Sequence, residues 1–591
     1  MNLNRLAALS ISLALAACAQ PPVKPEAAAT PAPAAKPPLP KVVTRTPQPR
    51  DVPLPAVELS EPILFKLMLA EVAAQRGQPH VAVPALLEVA RETRDPRVAR
   101  RATEVAWNAR FLPAALEAAT LWLQADPEST RARQTVIALL VNQSRLDDAL
   151  PHLEKSISGD PDNVGQNFLQ LSSLLSGHKD KAAILRVIRT LASRHPQVPE
   201  ASLAVAQAAW NADDQAQALE SSRRALQLRP GWELAALFQA QALQRSSVAE
   251  AVAFLESFVN AHPGARDARL NYARLLVSAQ RYPEARKQFG ILLGEAPNNA
   301  EIAMAVATLS MQAKDYAAAD LQLQRALEIG AKDPDMVRMY LGQVNEELKR
   351  DEQALKWYSS ITHGAQFIPA QARYAGVLAK QGRLADARRH LQGVAAGDAR
   401  QRTQLTLAEA NLLREAKAYQ EAFDFLAAAV ARTPDVPDLL YDHAMAAEKV
   451  NRIDVLEANL RRVIEMQPDH AHAYNALGYT LADRNQRLPE ARTLIETAHK
   501  LAPNDPFIFD SLGWVLFRMG ENQEALGHLR RAYEMRPDGE IAAHLGEVLW
   551  VLGRRDEAQK LWSEALRSQP KNEALQDTIK RLAPAVLQSA Q

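Results

Sequence analysis

The chain has 591 residues, with 69 Lys and Arg against 68 Asp and Glu, so no global basic field is present to collect nucleic acid. Its single cysteine excludes an internal disulfide and a cysteine-based zinc site. Hydrophobic residues make up 47% and aromatic residues only 5%, and no apolar segment after the first residues is long enough for a membrane crossing.

In chain order, Met1 to Arg5 is a short polar start and Leu6 to Ala17 an uninterrupted run of Leu, Ala, Ile and Ser. That is the layout of a secretory leader, and it is too short to span a bilayer. Leu15-Ala16-Ala17-Cys18 resembles the lipobox of bacterial lipoproteins. The resemblance implies removal of residues 1–17 and lipid, palmitate included, on Cys18. An ordinary leader with an incidental cysteine is the alternative. Ala19 in place of Asp after the cysteine implies, by the enterobacterial sorting rule, the outer membrane and a periplasm-facing protein. Residues 18–57 are mostly Pro, Ala, Lys and Thr; with little to bury and many missing backbone donors they read as a disordered tether.

The remainder is one repeated unit. Pro127, Pro161, Pro196, Pro230, Pro263 and Pro297 recur about every 34 residues, and Pro434, Pro468, Pro503, Pro537 and Pro570 resume the beat. Upstream of these prolines stand acidic residues followed by alanine, ending at Ala149, Ala285, Ala491, Ala525 and Ala558. Pro or an acid in a first turn suits the unpaired donors of a helix start, and alanine lets two helices approach. Preceding each such helix is another amphipathic one, with Tyr474, Leu477 and Gly478 or Phe509, Leu512 and Gly513 at fixed offsets. The pattern is similar to the tetratricopeptide repeat. That resemblance implies an all-α right-handed superhelical solenoid, with partly degenerate repeats over 58–402, regular repeats over 403–571, and a closing helix and tail over 572–591. Leu174–Asp180, Ile361–Gly364 and Gly393–Gly397 place glycine and polar residues near helix ends, as hinges or as ordinary loop variation.

No P-loop, GxSxG or HExxH motif occurs, so neither catalytic residues nor a metal site are assigned, and no cofactor beyond the lipid is expected. His470 and His472, two apart at a helix entry, do not share a helical face and read as capping or exposed. What remains is binding. In the repeat family, positions 2, 5, 9 and 12 of each first helix face the concave wall. Aligning each unit on its closing proline puts Asn475, Tyr479, Phe507, Asp510, Trp514, Phe517 and Trp550 there, and Tyr474, Phe509 and Trp562 in the core. Aromatics gathered on one wall suggest a recognition groove; that neighbouring helices cover them stays open.

Asn475–Arg484, Phe509–Glu521 and Ala542–Ala558, with Leu67–Gly77 and Thr93–Pro96 near the front, resemble a group of proteobacterial lipoproteins. That group resembles the lipoprotein binding partner of a periplasmic carboxyl-terminal processing protease. The resemblance implies a non-enzymatic outer-membrane adaptor, a scaffold for protein–protein interaction that binds the protease and its peptidoglycan-hydrolase substrates and promotes protease activation. An envelope biogenesis scaffold for pilus, secretin or exopolysaccharide assembly is the alternative, and homo-oligomerisation is left open.

Overall fold

In a computed structural model the protein is described over residues 55–159, 161–175 and 178–589. The leader, Cys18 and all but the last residues of the tether lie outside this range. Among the described residues there are thirty-two α-helices, one short 3-10 helix and no strand. Thirty of these helices run from Glu61 to Ser568, most of them packed as hairpins with a sequence neighbour, while Val164–Leu175 and Lys181–Ser193 both pack on Pro199–Asn211; Glu573–Leu582 and Pro584–Ser589 follow. The hairpins fall into two compact units, one ending at Ile329 and one beginning at Gly330.

Each hairpin is fixed by local rules. The turn between its helices almost always carries one residue with positive φ, such as Arg110, Ser144, Lys417 or Asn451, and glycine at Gly520 and Gly553. At Gly520 the turn closes with Gly520 N–H to Phe517 O at 2.9 Å and Glu521 N–H to Leu516 O at 2.9 Å, which satisfies carbonyls the helix leaves free. The alanines that follow the acidic residues, Ala149, Ala285, Ala491, Ala525 and Ala558, are all fully buried, where only a methyl fits between crossing helices. The Leu-Gly glycines complete the same close approach. A Cβ on Gly513 would stand 2.5 Å from Leu529 Cγ, and one on Gly546 would stand 2.0 Å from Trp562 Nε1.

Stacking then supplies the core. In the second unit a continuous apolar cluster runs from Ala410 through Leu456, Leu481, Leu516 and Trp562 to Ile579, as expected when single hairpins cannot bury their own stripes. Ion pairs between successive second helices run along the outside, for example Arg492 to Glu521 at 3.1 Å and Arg530 to Glu557 at 2.6 Å. The Glu457 carboxyl, hydrogen-bonded first by Arg487 and also by Arg461, has its pKa drawn down to about 2. Pairs this exposed add at most about 1 kcal/mol each. The closing helix Glu573–Leu582 buries Leu575 and Ile579 and turns its charges outward. Its Glu573 also meets Lys417, 156 residues earlier, at 2.8 Å. The first helix, Glu61–Gln75, has no such polar outer face: Leu64, Phe65, Met68, Leu69 and Val72 are all exposed.

Candidate functional site

Three first helices of the second unit, Ala471–Asp483, Pro506–Arg518 and Gly539–Val551, pack side by side and carry all seven residues placed on the wall by the sequence. Side chains prepare their starts: Asp505 accepts from Phe507 N–H at 2.9 Å, Asp538 from Glu540 N–H at 2.9 Å, and His470 Nδ1 from Ala473 N–H at 3.0 Å. His470 is therefore a cap.

The seven residues are not equivalent. Phe507 is 40% exposed, with the Arg536 guanidinium 4.7 Å from its ring. Asn475, Tyr479, Phe517 and Trp550 are half-buried. Trp550 lies between Arg555 at 5.1 Å and the Trp562 ring at 5.8 Å. Trp514 and Asp510 are buried, at 5% exposure each. The expectation of an open aromatic groove is corrected at Trp514, because the next first helix lies over it: the His544 imidazole stacks on the indole at 4.1 Å and 24°. Of the aromatics assigned to the core, Trp562 is fully buried, whereas Tyr474 and Phe509 are half-buried.

The helices are tied together by a chain of polar groups that starts at Asp510. Its carboxylate accepts from His544 Nδ1 at 2.9 and 3.0 Å. His544 Nε2 lies 3.5 Å from the Tyr479 hydroxyl, which donates to Glu540 at 3.2 Å. With both ring nitrogens directed at oxygen atoms, the imidazolium is the form the surroundings favour. Burial pulls His544 down, but the Asp510 charge and hydrogen bond, with Glu540 and Asp483, raise it above its ordinary value. Loss of solvation among the neighbouring helices, opposed by the His544 charge, raises the Glu540 carboxyl even though its side chain keeps exposed surface, and burial raises the Tyr479 phenol. Beyond this chain, Arg581 of the closing helix donates to both oxygens of Glu547 at 2.8 and 2.5 Å.

His544, Glu540 and Glu547 were not among the residues selected from sequence. Glu540 and Glu547 occupy wall positions 2 and 9 of their helix, so the same counting reaches them once acids are sought beside aromatics. His544 sits at position 6, and only the neighbouring helix brings it to Asp510.

Paired helices, buried alanines at the crossings and a side-chain-lined wall define a helical-hairpin repeat protein. The tetratricopeptide-repeat profiles match residues 242–309, 441–506 and 511–573. A TPR repeat-containing protein of Pseudomonas aeruginosa is 33% identical over 530 residues, covering 89% of each chain. The chain belongs to the tetratricopeptide-repeat family. Among solved structures, a thermophilic TPR protein of Thermus thermophilus is 24% identical, covering 31% of this chain and 98% of its own, with a TM-score of 0.29. The hetero-tetramer Cut9–Hcn1 of the APC/C is 14% identical, covering 83% and 97%, with a TM-score of 0.28. Repeats of this family make a protein–protein interaction scaffold.

Proposed function

We propose that this protein is a non-catalytic adaptor, held at the outer membrane through lipid on Cys18 and facing the periplasm, that brings a carboxyl-terminal processing protease together with peptidoglycan-hydrolase substrates. The observation that carries the reading is the wall at Tyr479, Phe507 and Glu540, which offers aromatic and acidic surface on three adjoining rigid helices. Tethering at the membrane raises the local concentration of whatever the wall holds, and capture becomes effectively intramolecular.

Two experiments test this. Cys18→Ser should move the protein from the membrane fraction to the soluble periplasmic fraction; unchanged sedimentation with the envelope would rule out the lipid anchor. Tyr479→Ala combined with Phe507→Ala should cut recovery of partners from solubilised envelope by about tenfold, since anchors of this type commonly supply about 1–2 kcal/mol or more. Helical circular dichroism should be unchanged. Trp514 is unsuited to this test because its replacement opens the core. Co-purification of a protease supports the adaptor reading, whereas pilus, secretin or polysaccharide-assembly components would replace it.

A further inference from the structure

We propose that the second unit is a clasp: its closing helix completes a turn of hairpins around the wall, and the turn parts at Glu573 to admit an internal segment of a protein partner. This deepens the adaptor reading and rests on it. Lys417 stands in the turn that joins Ala399–Glu415 to Tyr419–Arg432, and Glu573 is the first residue of the closing helix. The Lys417 ammonium donates to the Glu573 carboxylate at 2.8 Å, although 156 residues separate them in sequence. Stacked repeats otherwise touch their neighbours along the array. The five hairpins from Ala399 to Ser568 therefore curve back on themselves, with Tyr479, Phe507 and Glu540 on the last three of them.

The two attachments of the closing helix differ in kind. On the last hairpin it is fixed: Leu575 and Ile579 are fully buried, and Arg581 holds both oxygens of Glu547, whose side chain is 10% exposed. At the seam the Lys417 and Glu573 side chains are 68% and 77% exposed. The Lys449 charge also acts on Glu573, so the opposite side of the seam presents two lysines to one carboxylate. An exposed pair of this kind contributes little to stability and is screened by salt.

Parting the seam leaves each hairpin intact. Small rotations at the successive helix crossings add along the array and appear in full where the turn closes. The consequence is for the kind of partner. A turn that stayed shut would admit only a chain end threaded along it. A seam that parts lets a loop or linker, with folded protein on both sides, reach Tyr479 and Phe507 and be enclosed when the pair re-forms.

The test uses the full chain from residue 18 with Cys18→Ser, which removes the single native thiol. Ala416→Cys and Ala574→Cys, at exposed positions on the two sides of the seam, carry nitroxide labels for pulsed electron-spin distance measurements. At about 0.1 M salt one short distance should dominate. A longer population should grow about threefold at about 1 M salt, and likewise with Glu573→Lys at low salt. Reversing both charges, Lys417→Glu with Glu573→Lys, should restore most of the short distance. A long distance under every condition, or a short one that neither salt nor Glu573→Lys disturbs, would overturn the clasp. Bridging the same two cysteines with a short bismaleimide before contact with solubilised envelope should abolish partner recovery, whereas bridging afterwards should retain the partner through washing. Equal recovery whichever way the bridge is timed would show that the wall is reached without opening, and the proposal falls. If the unbridged chain recovers no partner, the adaptor reading falls, and the distances still decide the clasp.

Discussion

Alanine in place of Gly546 should destabilise the second unit by about 2–4 kcal/mol, seen as an earlier urea transition with helicity preserved below it. The helix propensity argument alone predicts the opposite, since Gly to Ala inside a helix ordinarily gains roughly 0.5–1 kcal/mol. Sterics decide the sign. The added methyl would lie 2.0 Å from Trp562 Nε1 and 2.3 Å from its Cε2, and Trp562 has no exposed surface through which to retreat. Moving the indole also breaks its hydrogen bond to Ala542 O at 3.1 Å. Stabilisation by Gly546→Ala would show that the two helices are not held at this distance.

Asp510→Ala should cost about 3–5 kcal/mol, the usual consequence of removing one partner from a buried ion pair. Side-chain exposure is 8% for His544 and 7% for Asp510, so water cannot replace the lost carboxylate. The pH dependence supplies a second readout. The folded His544 is raised above its ordinary 6.5, and the cause is the Asp510 charge and hydrogen bond prevailing over burial. A raised basic group stabilises fully below its unfolded value, and that stabilisation is lost as pH rises through the folded value. The wild type should therefore lose stability between about pH 6 and a higher pH, measured by urea unfolding, and Asp510→Ala should flatten this slope. A variant that keeps the wild-type slope would show that Asp510 is not the counter-charge.

The buried alanines and the Leu-Gly glycines were legible in sequence because their job repeats: each hairpin meets the next at the same crossing, so Ala491, Ala525 and Ala558 stand in one register. Capping by His470 was legible for the same reason, being a contact with Ala473 three residues away. The exposure of Trp514, which the sequence leaves open, is only 5%. Position on a helix gives the direction of a side chain, and the neighbour that covers it comes from the following repeat. His544 escaped notice because its meaning lies in Asp510, 34 residues earlier, and in Tyr479, 65 residues earlier.

The sequence by itself determined a chain of helical hairpins with their crossings and turns, because those features depend on contacts within one repeat length. Only the tertiary structure decided which wall residues are open and which are locked together. Tyr479 reaches Glu540 across 61 residues, and the intervening Trp514 is closed by His544. Exposure in a stacked array belongs to the pair of repeats in contact, and local periodicity carries no information about which side chains the neighbour brings.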